Sequence, residues 1–113
     1  MHELPVTQSI LEIVLRHAEQ ANATRVTQID LLIGDLASIV DDSVQFYFDM
    51  LGQDTIAQDA KLVFKRVPGK MRCWECQTVF APDGRTYTCP QCHSARVEII
   101  AGREFRVESI EVE

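Results

Sequence analysis

The sequence lacks the features that mark several large classes of protein. None of its apolar runs approaches the length that a membrane-spanning helix requires. Its 17 acidic residues outnumber its 11 lysines and arginines, and the net charge of −6 opposes general attraction to nucleic acid or to an anionic membrane. It also has no glycine-rich phosphate loop and no motif pairing a nucleophile with a base. These absences predict a carrier or binding protein that is not an enzyme.

Cysteine is restricted to one stretch of the chain. All four cysteines fall into two pairs, Cys73 with Cys76 and Cys89 with Cys92, and twelve residues separate the pairs. This spacing is typical of four thiolates that converge tetrahedrally on one structural zinc ion. The sequence therefore predicts a zinc ribbon.

The residues between the two pairs can form the hairpin that a ribbon needs. Val79 and Phe80 are expected on one arm and Tyr87 on the other, with the turn at Pro82-Asp83-Gly84. Asp and Gly suit a tight turn because both tolerate positive φ angles.

Two other arrangements of the cysteines are less consistent with the sequence. Disulfides need an oxidising compartment, but the first twenty residues begin with charged residues and lack the uninterrupted apolar segment of a signal peptide. A thioredoxin-like redox site would have one CxxC motif in a βαβ context. We therefore expect a cytoplasmic protein with zinc-bound thiolates.

The first half of the chain shows one helical pattern followed by one strand pattern. The helix is expected to begin at Thr7 or Gln8, after a short strand, and to end at Asn22. The inner stripe comprises Ile10, Ile13, Val14, His17, Ala18 and Ala21. His17 lies on this stripe or its border, so we interpret it as a core or edge residue and not as a ligand. Alternation from Thr24 to Ile33 predicts a half-buried strand with Thr27, Ile29, Leu31 and Ile33 on the inner face.

A second helix is expected between Gly34 and Gly52. Asp41-Asp42-Ser43 can cap its first turn, which explains the acidic pair better than a metal site does. The apolar face comprises Val44, Tyr47, Phe48 and Leu51, with Phe46 and Met50 at its margin.

Two further strands are predicted outside the ribbon. One covers residues 60–67, and the other runs from Glu104 to Val112. In the last strand, Phe105 and Val107 are odd-numbered, whereas Ile110 and Val112 are even-numbered. A bulge near Glu108-Ser109, or a strand that is apolar on both faces in part, would reconcile the two sets.

These elements predict an α+β fold in which two helices pack on a small three-stranded sheet, with an inserted zinc-ribbon module. The expected order is strand, helix, strand, helix, strand, ribbon, strand. Because the ribbon is entered from one strand and left into another, the main domain is expected to be discontinuous. It would comprise residues 1–67 with 102–113, and the ribbon residues 68–101.

The amino terminus carries a second set of potential metal ligands. The α-amine of Met1, the amide nitrogen of His2 and the Nδ1 atom of His2 can close one five-membered and one six-membered chelate ring on a single ion. Planar nitrogen coordination of this kind suits Ni(II) or Cu(II). A histidine at the second position is a weak signal when taken alone.

Taken together, several stretches resemble the HypA/HybF family of hydrogenase-maturation nickel metallochaperones. They are Met1-His2-Glu3-Leu4, Gln8-Ser9-Ile10, Ile33-Gly34-Asp35-Leu36, Thr55-Ile56-Ala57, Ala60-Lys61-Leu62, both cysteine pairs, Gly102-Arg103-Glu104-Phe105 and Ser109-Ile110-Glu111-Val112. The resemblance covers essentially the whole chain. The combination of an N-terminal Met-His-Glu with a ribbon at this position is specific.

The resemblance implies a function and two metal sites. It implies a carrier that binds one Ni(II) through the Met1 amine, the backbone nitrogen and imidazole of His2, and the backbone nitrogen of Glu3. The Glu3 side chain would contact a partner. The zinc ligands would be Cys73, Cys76, Cys89 and Cys92. The implied partners are the GTPase HypB and the large subunit of [NiFe]-hydrogenase.

Two residues depart from the family pattern. Pro5 stands where a small polar or β-branched residue is common, and it removes one N–H group close to the nickel ligands. His93 stands where glycine commonly follows the last cysteine. It could be an exchangeable zinc ligand or a second-shell donor, but a solvent-facing turn residue is the simpler interpretation.

A second hypothesis makes the ribbon an adaptor for a protein or nucleic-acid partner. Trp74, Arg72, Arg85 and Arg96 would supply the contacts, although the acidic net charge argues against nucleic acid. The sequence leaves open which hydrogenase is served, whether urease is also supplied, how the two metal sites communicate and whether two copies of the chain pair.

Overall fold

A computed structural model describes residues 3–82 and 87–113 of the chain. Two helices and six strands lie within these residues. They are α1 (Glu3–Gln20), β1 (Val26–Gly34), α2 (Asp41–Leu51), β2 (Lys61–Val67), β3 (Lys70–Cys73), β4 (Val79–Phe80), β5 (Val97–Ala101) and β6 (Phe105–Val112).

The strands form two separate three-stranded sheets. In the first sheet, β1 is central, parallel to β2 and antiparallel to β6. In the second, β3 is central and antiparallel to both β4 and β5. The second sheet falls between β2 and β6 in the sequence. The predicted α+β class is confirmed, whereas the domain boundaries at residues 67–68 and 101–102 stay a prediction.

The main core lies between the two helices and one face of the first sheet. Its fully buried large side chains include Ile10 and Val14 of α1, Ile29 of β1 and Phe48 of α2. Hydrophobic burial of this kind is the dominant stabilising term for a domain of this size. The core therefore fixes the helices on the sheet without help from the cysteines.

Helix α1 begins at Glu3, so the predicted start at Thr7 or Gln8 and the predicted strand before it are wrong. Pro5 is compatible with this start because the first N–H groups of a helix have no intrahelical acceptor. The Thr7 hydroxyl is buried and donates a hydrogen bond to the Glu3 carbonyl at 2.6 Å. The first turn is thus formed by residues that the apolar pattern alone did not include.

The end of α1 agrees with the prediction. Asn22 adopts a left-handed conformation (φ 55°). The Ala23 N–H bonds to the Ala18 carbonyl, and the Asn22 N–H bonds to the Glu19 carbonyl. This pair of hydrogen bonds is a Schellman motif, in which Asn is tolerated at the left-handed position.

The inner face of β1 differs from the prediction at one end. Val26, Ile29, Leu31 and Ile33 are buried, whereas Thr27 is only half-buried. A register shift between Val26 and Gln28 produces this exchange of faces.

The predicted irregularity in the last strand is present. Asp30 pairs with Ser109 and Leu31 pairs with Val107, so Glu108 is the additional residue. Because the bulge resets the alternation, Phe105, Val107 and Ile110 all pack against the main core.

Helix α2 begins differently from the prediction. Its N-cap residue is Val40, which makes no side-chain capping bond, and Asp41 and Asp42 lie inside the first turn. There, their carboxylates face the positive end of the helix dipole. Asp41 also forms an ion pair with Arg66 of β2. Gly52 ends the helix as predicted.

The second sheet departs from the predicted hairpin. Strand β4 pairs with Met71 and Arg72 of β3, not with an arm containing Tyr87, which lies outside the strands. The predicted turn at Pro82-Asp83-Gly84 falls largely within residues 83–86, which lie outside the described residues.

Three glycines form the junction between the two sheets. A Cβ atom on Gly34 would lie 2.0 Å from the backbone carbonyl of Gly102, and one on Gly102 would lie 2.6 Å from the Cα atom of Gly69. A Cβ atom on Gly69 would lie 2.9 Å from the Leu36 side chain. The Leu36 N–H also donates to the Gly102 carbonyl at 2.7 Å. At Gly34 and Gly102 the backbones approach too closely for a Cβ atom to fit, whereas at Gly69 the Leu36 side chain occupies the space.

The described residues form an elongated molecule measuring 55 × 24 × 17 Å. Neither described helix is long and apolar enough to cross a lipid bilayer.

Candidate metal centre

Two short turns with the same hydrogen bonds present the four cysteines. In the first turn, residues 73–78, the Cys73 N–H donates to the Thr78 carbonyl at 2.9 Å and the Gln77 N–H donates to the Cys73 carbonyl at 3.0 Å. The Glu75 N–H points at the Cys73 sulfur, 3.3 Å away. We call this segment the first cysteine turn.

The second cysteine turn, residues 89–94, repeats this pattern. The Cys89 N–H donates to the Ser94 carbonyl at 2.9 Å, and the His93 N–H donates to the Cys89 carbonyl at 2.8 Å. The Gln91 N–H lies 3.3 Å from the Cys89 sulfur. Gln77 and His93, which follow the last cysteine of each pair, have φ angles of 65° and 64°. The left-handed residue turns the chain back so that both sulfurs of a pair face the same point.

The two turns bring all four sulfurs together. The ligand atoms of Cys73, Cys76, Cys89 and Cys92 lie within 4.8 Å of one another. Contacts of 3.5 Å join Cys73 to Cys92 and Cys76 to Cys89. With Zn–S bonds of about 2.3 Å, a regular tetrahedron places its sulfurs about 3.8 Å apart. The arrangement therefore fits a zinc ion bound by four thiolates.

The same distances exclude the disulfide alternative in this structure. A disulfide joins its sulfurs at about 2.05 Å, and all four cysteines are free. Cys73 and Cys89 are buried, whereas Cys76 and Cys92 are exposed. One cysteine of each pair thus anchors the site and the other closes it from the solvent side.

Thr78 prepares Cys76 for metal binding. Its hydroxyl lies 3.1 Å from the Cys76 sulfur. Hydrogen bonds from the Thr78 side chain, and then from its backbone, lower the pKa of Cys76 from 9.0 to about 6. Cys76 therefore offers a thiolate at neutral pH, which is the form that binds a metal.

Cys92 has the opposite tendency without a cation. The Ser94 backbone lowers its pKa, but the neighbouring Cys73 thiol, burial, and the thiols of Cys76 and Cys89 raise it, and the result is about 12. Four adjacent thiolates repel one another, so a divalent ion is needed to ionise the whole set. The site fits a metal whose charge offsets this repulsion.

The charged residues around the turns are engaged in ion pairs. Arg72 pairs with Glu98 and lies 5.8 Å from the centroid of the Trp74 ring. Arg96 pairs with Glu75 at 3.0 Å. Trp74 is 53% exposed, so it does not serve as a core residue.

The predicted nickel ligands lie largely beyond the described residues. Met1 and His2 fall outside them, and Glu3 is the first residue of α1. Residues 21–25 join α1 to β1, and the two elements have similar lengths of about 27 and 30 Å. Glu3 therefore lies at the Gly34 end of the first sheet, which is the end that carries the junction. Among the described residues, the group of side chains that could bind a metal ion is the cysteine cluster.

Thr78 is the residue beside the cysteine cluster that the sequence interpretation missed. The signal for it is the hydroxyl residue two positions after the second cysteine of each pair, Thr78 after Cys76 and Ser94 after Cys92. His93 is exposed and occupies a turn, consistent with the simpler interpretation of that residue. His17 is exposed at the edge of α1 and is not a core residue.

A family model described as "Hydrogenase/urease nickel incorporation, metallochaperone, hypA" matches residues 1–112. The chain belongs to the HypA family. Hydrogenase maturation factor HypA of Dehalococcoides mccartyi is 44% identical over 113 residues, covering 100% of this chain and 95% of that protein. The HypA of Caldanaerobacter subterraneus subsp. tengcongensis is 43% identical over 114 residues, covering 100% of both chains.

Solved HypA structures share the architecture. The solution structure of the Ni metallochaperone HypA from Helicobacter pylori superposes with a TM-score of 0.71 at 27% identity, covering 99% of this chain and 97% of that one. A second solution structure of a HypA protein superposes with a TM-score of 0.75 at 26% identity, covering 100% of this chain and 97% of that one. The two helices and the small sheets thus follow the fold of the solved HypA structures.

Proposed function

We propose that this HypA protein binds one Ni(II) ion at its amino terminus and transfers it for the maturation of [NiFe]-hydrogenase. The observation that carries this proposal is the match to the nickel-incorporation family across residues 1–112, together with the four-cysteine cluster. The protein acts as a carrier and not as an enzyme. Its relatives are named as maturation factors.

The proposed nickel ligands are the Met1 amine, the backbone nitrogen and imidazole of His2, and the backbone nitrogen of Glu3. Glu3 is the first residue of α1. The first N–H groups of a helix have no intrahelical acceptor, so nickel can take the Glu3 nitrogen without breaking a helical hydrogen bond. Binding to deprotonated amides competes with protons, so nickel affinity falls as the pH falls.

The proposed role of zinc is structural. Cys73, Cys76, Cys89 and Cys92 would fill all four positions of a tetrahedral ion, leaving none for a substrate. When bound, zinc supplies the positive charge that holds four thiolates together. The two cysteine turns supply the backbone N–H groups that point at Cys73 and Cys89.

The proposed partners are the GTPase HypB and the hydrogenase large subunit, met in the cytoplasm. A better or larger set of ligands on the partner would draw the ion from the amino terminus. The family description names urease as well as hydrogenase. Selectivity against Cu(II), which binds nitrogen ligands more tightly, must come from metal supply or from partner recognition.

The adaptor hypothesis has less support. Two of its three arginines, Arg72 and Arg96, already form ion pairs with Glu98 and Glu75. Arg85 lies outside the described residues. Since the chain also carries a net charge of −6, its attraction to nucleic acid is weak.

The nickel proposal is tested with tag-free protein and two variants. His2→Ala, and an extension of one residue before Met1, should each abolish nickel binding measured by titration calorimetry, because each removes a ligand of the chelate. Zinc content measured by elemental analysis should not change. Equal nickel uptake by the extended protein would refute the proposal, as would nickel seated among the thiolates.

A further inference from the structure

The outer edge of β6 has free backbone groups above an apolar groove. Strand β6 is the last strand on its side of the first sheet. The Glu111 carbonyl accepts from the Thr27 hydroxyl of β1, and the Glu113 N–H donates to the Arg25 carbonyl. Glu111 and Glu113 therefore face β1. Because backbone direction alternates along a strand, the N–H and C=O groups of Ile110 and Val112 face outward.

The residues with outward backbone groups also line the groove. Five residues of β6 form one wall of a groove of about 380 Å³, and the apolar ones are Val107, Ile110 and Val112. Ile13, His17 and Ala21 of α1 form the other wall. Ile13 and Val112 remain 36% and 39% exposed. An extended chain added to β6 would direct every second side chain into this groove.

The charged residues next to the β6 edge determine which side chains a bound segment should carry. Glu108 and Ser109 line the groove, whereas Glu111, which alternates with Ile110 and Val112, lies on the other face of β6. The Ser109 hydroxyl donates to Asp30 of β1 at 2.8 Å. Arg106, the one cation on β6, is paired with Glu108 at 3.3 Å. Among the described residues, Glu111 is therefore the one charged residue of β6 that forms no ion pair. An added strand is favoured when lysine or arginine alternates with its apolar residues.

The same charges oppose pairing between two copies of β6. An antiparallel pair about a twofold axis would place the acidic residues of one edge against those of the other. The opposite edge, β2, carries Lys61, Lys65 and Arg66 and could pair with β6 of a second copy. That contact does not close on itself and would produce an open chain of molecules, which the net charge of −6 opposes.

We propose that the β6 edge and its groove dock an extended segment of a partner protein, in which apolar residues alternate with lysine or arginine. The segment adds to the first sheet as a fourth strand, antiparallel or parallel to β6. This site is separate from both proposed metal sites. It lies on the first sheet and needs no metal ligand.

The test uses the zinc-loaded full-length protein and a short blocked peptide in which Val and Ile alternate with Lys. Binding is followed by fluorescence anisotropy and by amide shifts in NMR spectra. We expect the amides of Ile110 and Val112 to shift and to exchange more slowly with solvent. A peptide of the same composition with its apolar residues clustered, or with a central Pro, should bind at least tenfold more weakly.

Protein variants separate groove binding from simple charge attraction. Ile13→Lys places a cation in the groove and should weaken peptide binding at least tenfold. Val40→Lys adds the same charge at an exposed apolar residue outside the groove and should not reproduce that loss. Val112→Pro removes an outward N–H group without removing a bond to β1, and it should weaken binding while leaving the thermal midpoint close to that of the parent.

Three outcomes would overturn the proposal. They are no peptide binding at millimolar concentration, equal weakening by Ile13→Lys and Val40→Lys, and equal binding of the clustered peptide. Concentration-dependent assembly of the protein alone in sedimentation, abolished by Val112→Pro, would assign the edge to a second copy instead. We expect nickel binding to be unchanged in all of these variants because none of them alters a proposed nickel ligand, so failure here is distinguishable from failure of the proposed function.

Discussion

Single residues decide how firmly the proposed zinc ion is held. The hydrogen bond between the Thr78 hydroxyl and the Cys76 sulfur has no counterpart at Ser94, whose hydroxyl instead accepts from the Arg96 N–H. The two cysteine turns are therefore alike in backbone but unequal in the stabilisation of their thiolates.

We expect Thr78→Val to weaken zinc binding and to move acid-induced zinc release to higher pH. The lowered pKa of Cys76, about 6, keeps its thiolate available as the pH falls through neutrality. Without the Thr78 hydroxyl that pKa rises, so protons displace zinc sooner. Loss of a hydrogen bond to a metal ligand typically lowers affinity about tenfold. Competition with a zinc-binding dye between neutral and acidic pH measures the change.

Ser94→Ala is the matched control for Thr78→Val. It occupies the same position in the second cysteine turn but removes no hydroxyl bond to sulfur. We expect its zinc-release profile to follow that of the parent protein. Equal shifts in both variants would show that the hydroxyl of Thr78 has no special role.

We expect His93→Gly to stabilise the zinc-loaded protein by about 1 kcal/mol, because glycine adopts a left-handed conformation without steric strain. His93 has a φ angle of 64°. His93→Ala keeps a Cβ atom in the same conformation and should give no gain. Urea unfolding at a fixed zinc concentration measures the difference. Weaker zinc binding in His93→Gly would instead assign the imidazole to the metal.

At the scale of elements, two phenylalanines on α2 differ in how far they are buried. Phe48 is 1% exposed in the main core, whereas Phe46, two positions earlier, is 58% exposed. We expect Phe48→Ala to lower the free energy of unfolding by about 4 kcal/mol because it leaves a cavity. Phe46→Ala should cost less than about 1 kcal/mol. Urea unfolding followed by helical circular dichroism compares them. Similar losses would contradict the assignment of α2 faces.

The sequence predicts an element well where a residue type or a spacing is compatible with only one local conformation. The change from odd to even apolar residues marked the bulge that the structure places at Glu108. Asn22 marked the end of α1 because few residues accept its left-handed conformation. Two cysteine pairs at ribbon spacing predicted the sulfur cluster.

Other elements depend on contacts that the local pattern does not contain. The first turn of α1 includes Pro5, which local rules assign to a break, yet Thr7 packs inward and supports a helix from Glu3. Strand β4 has two residues, too few to show a period, so its pairing with β3 and not with Tyr87 could not be predicted. Val40 occupies the N-cap of α2, and Asp41 in the first turn forms an ion pair with Arg66, which is distant in sequence.

At the scale of the whole molecule, the glycine junction sets how the two sheets are joined. We expect Gly34→Ala to destabilise the protein by about 3 kcal/mol, because the new methyl group would overlap the Gly102 backbone, which cannot move aside cheaply. Thermal unfolding measures the loss, and small-angle scattering of the folded fraction measures any change in molecular length.

Gly69→Ala is the matched comparison at the same junction. Its methyl group would meet the Leu36 side chain and not a backbone. The double variant Gly69→Ala with Leu36→Ala should therefore recover part of the loss, whereas Leu36→Ala should not rescue Gly34→Ala. Rescue of both variants would show that side-chain packing, and not backbone contact, governs the junction.

The glycine junction is formed by backbone contacts, and this affects how movement passes between the two sheets. Side chains can rotate to absorb a small displacement, but touching peptide groups transmit it. Force applied to the ribbon would pass through Gly102 and Gly34 into β1, whose Gly34 end lies on the same side of the sheet as Glu3, the first residue of α1. A partner that binds the ribbon would thereby also displace the first turn of α1, next to the proposed nickel ligands.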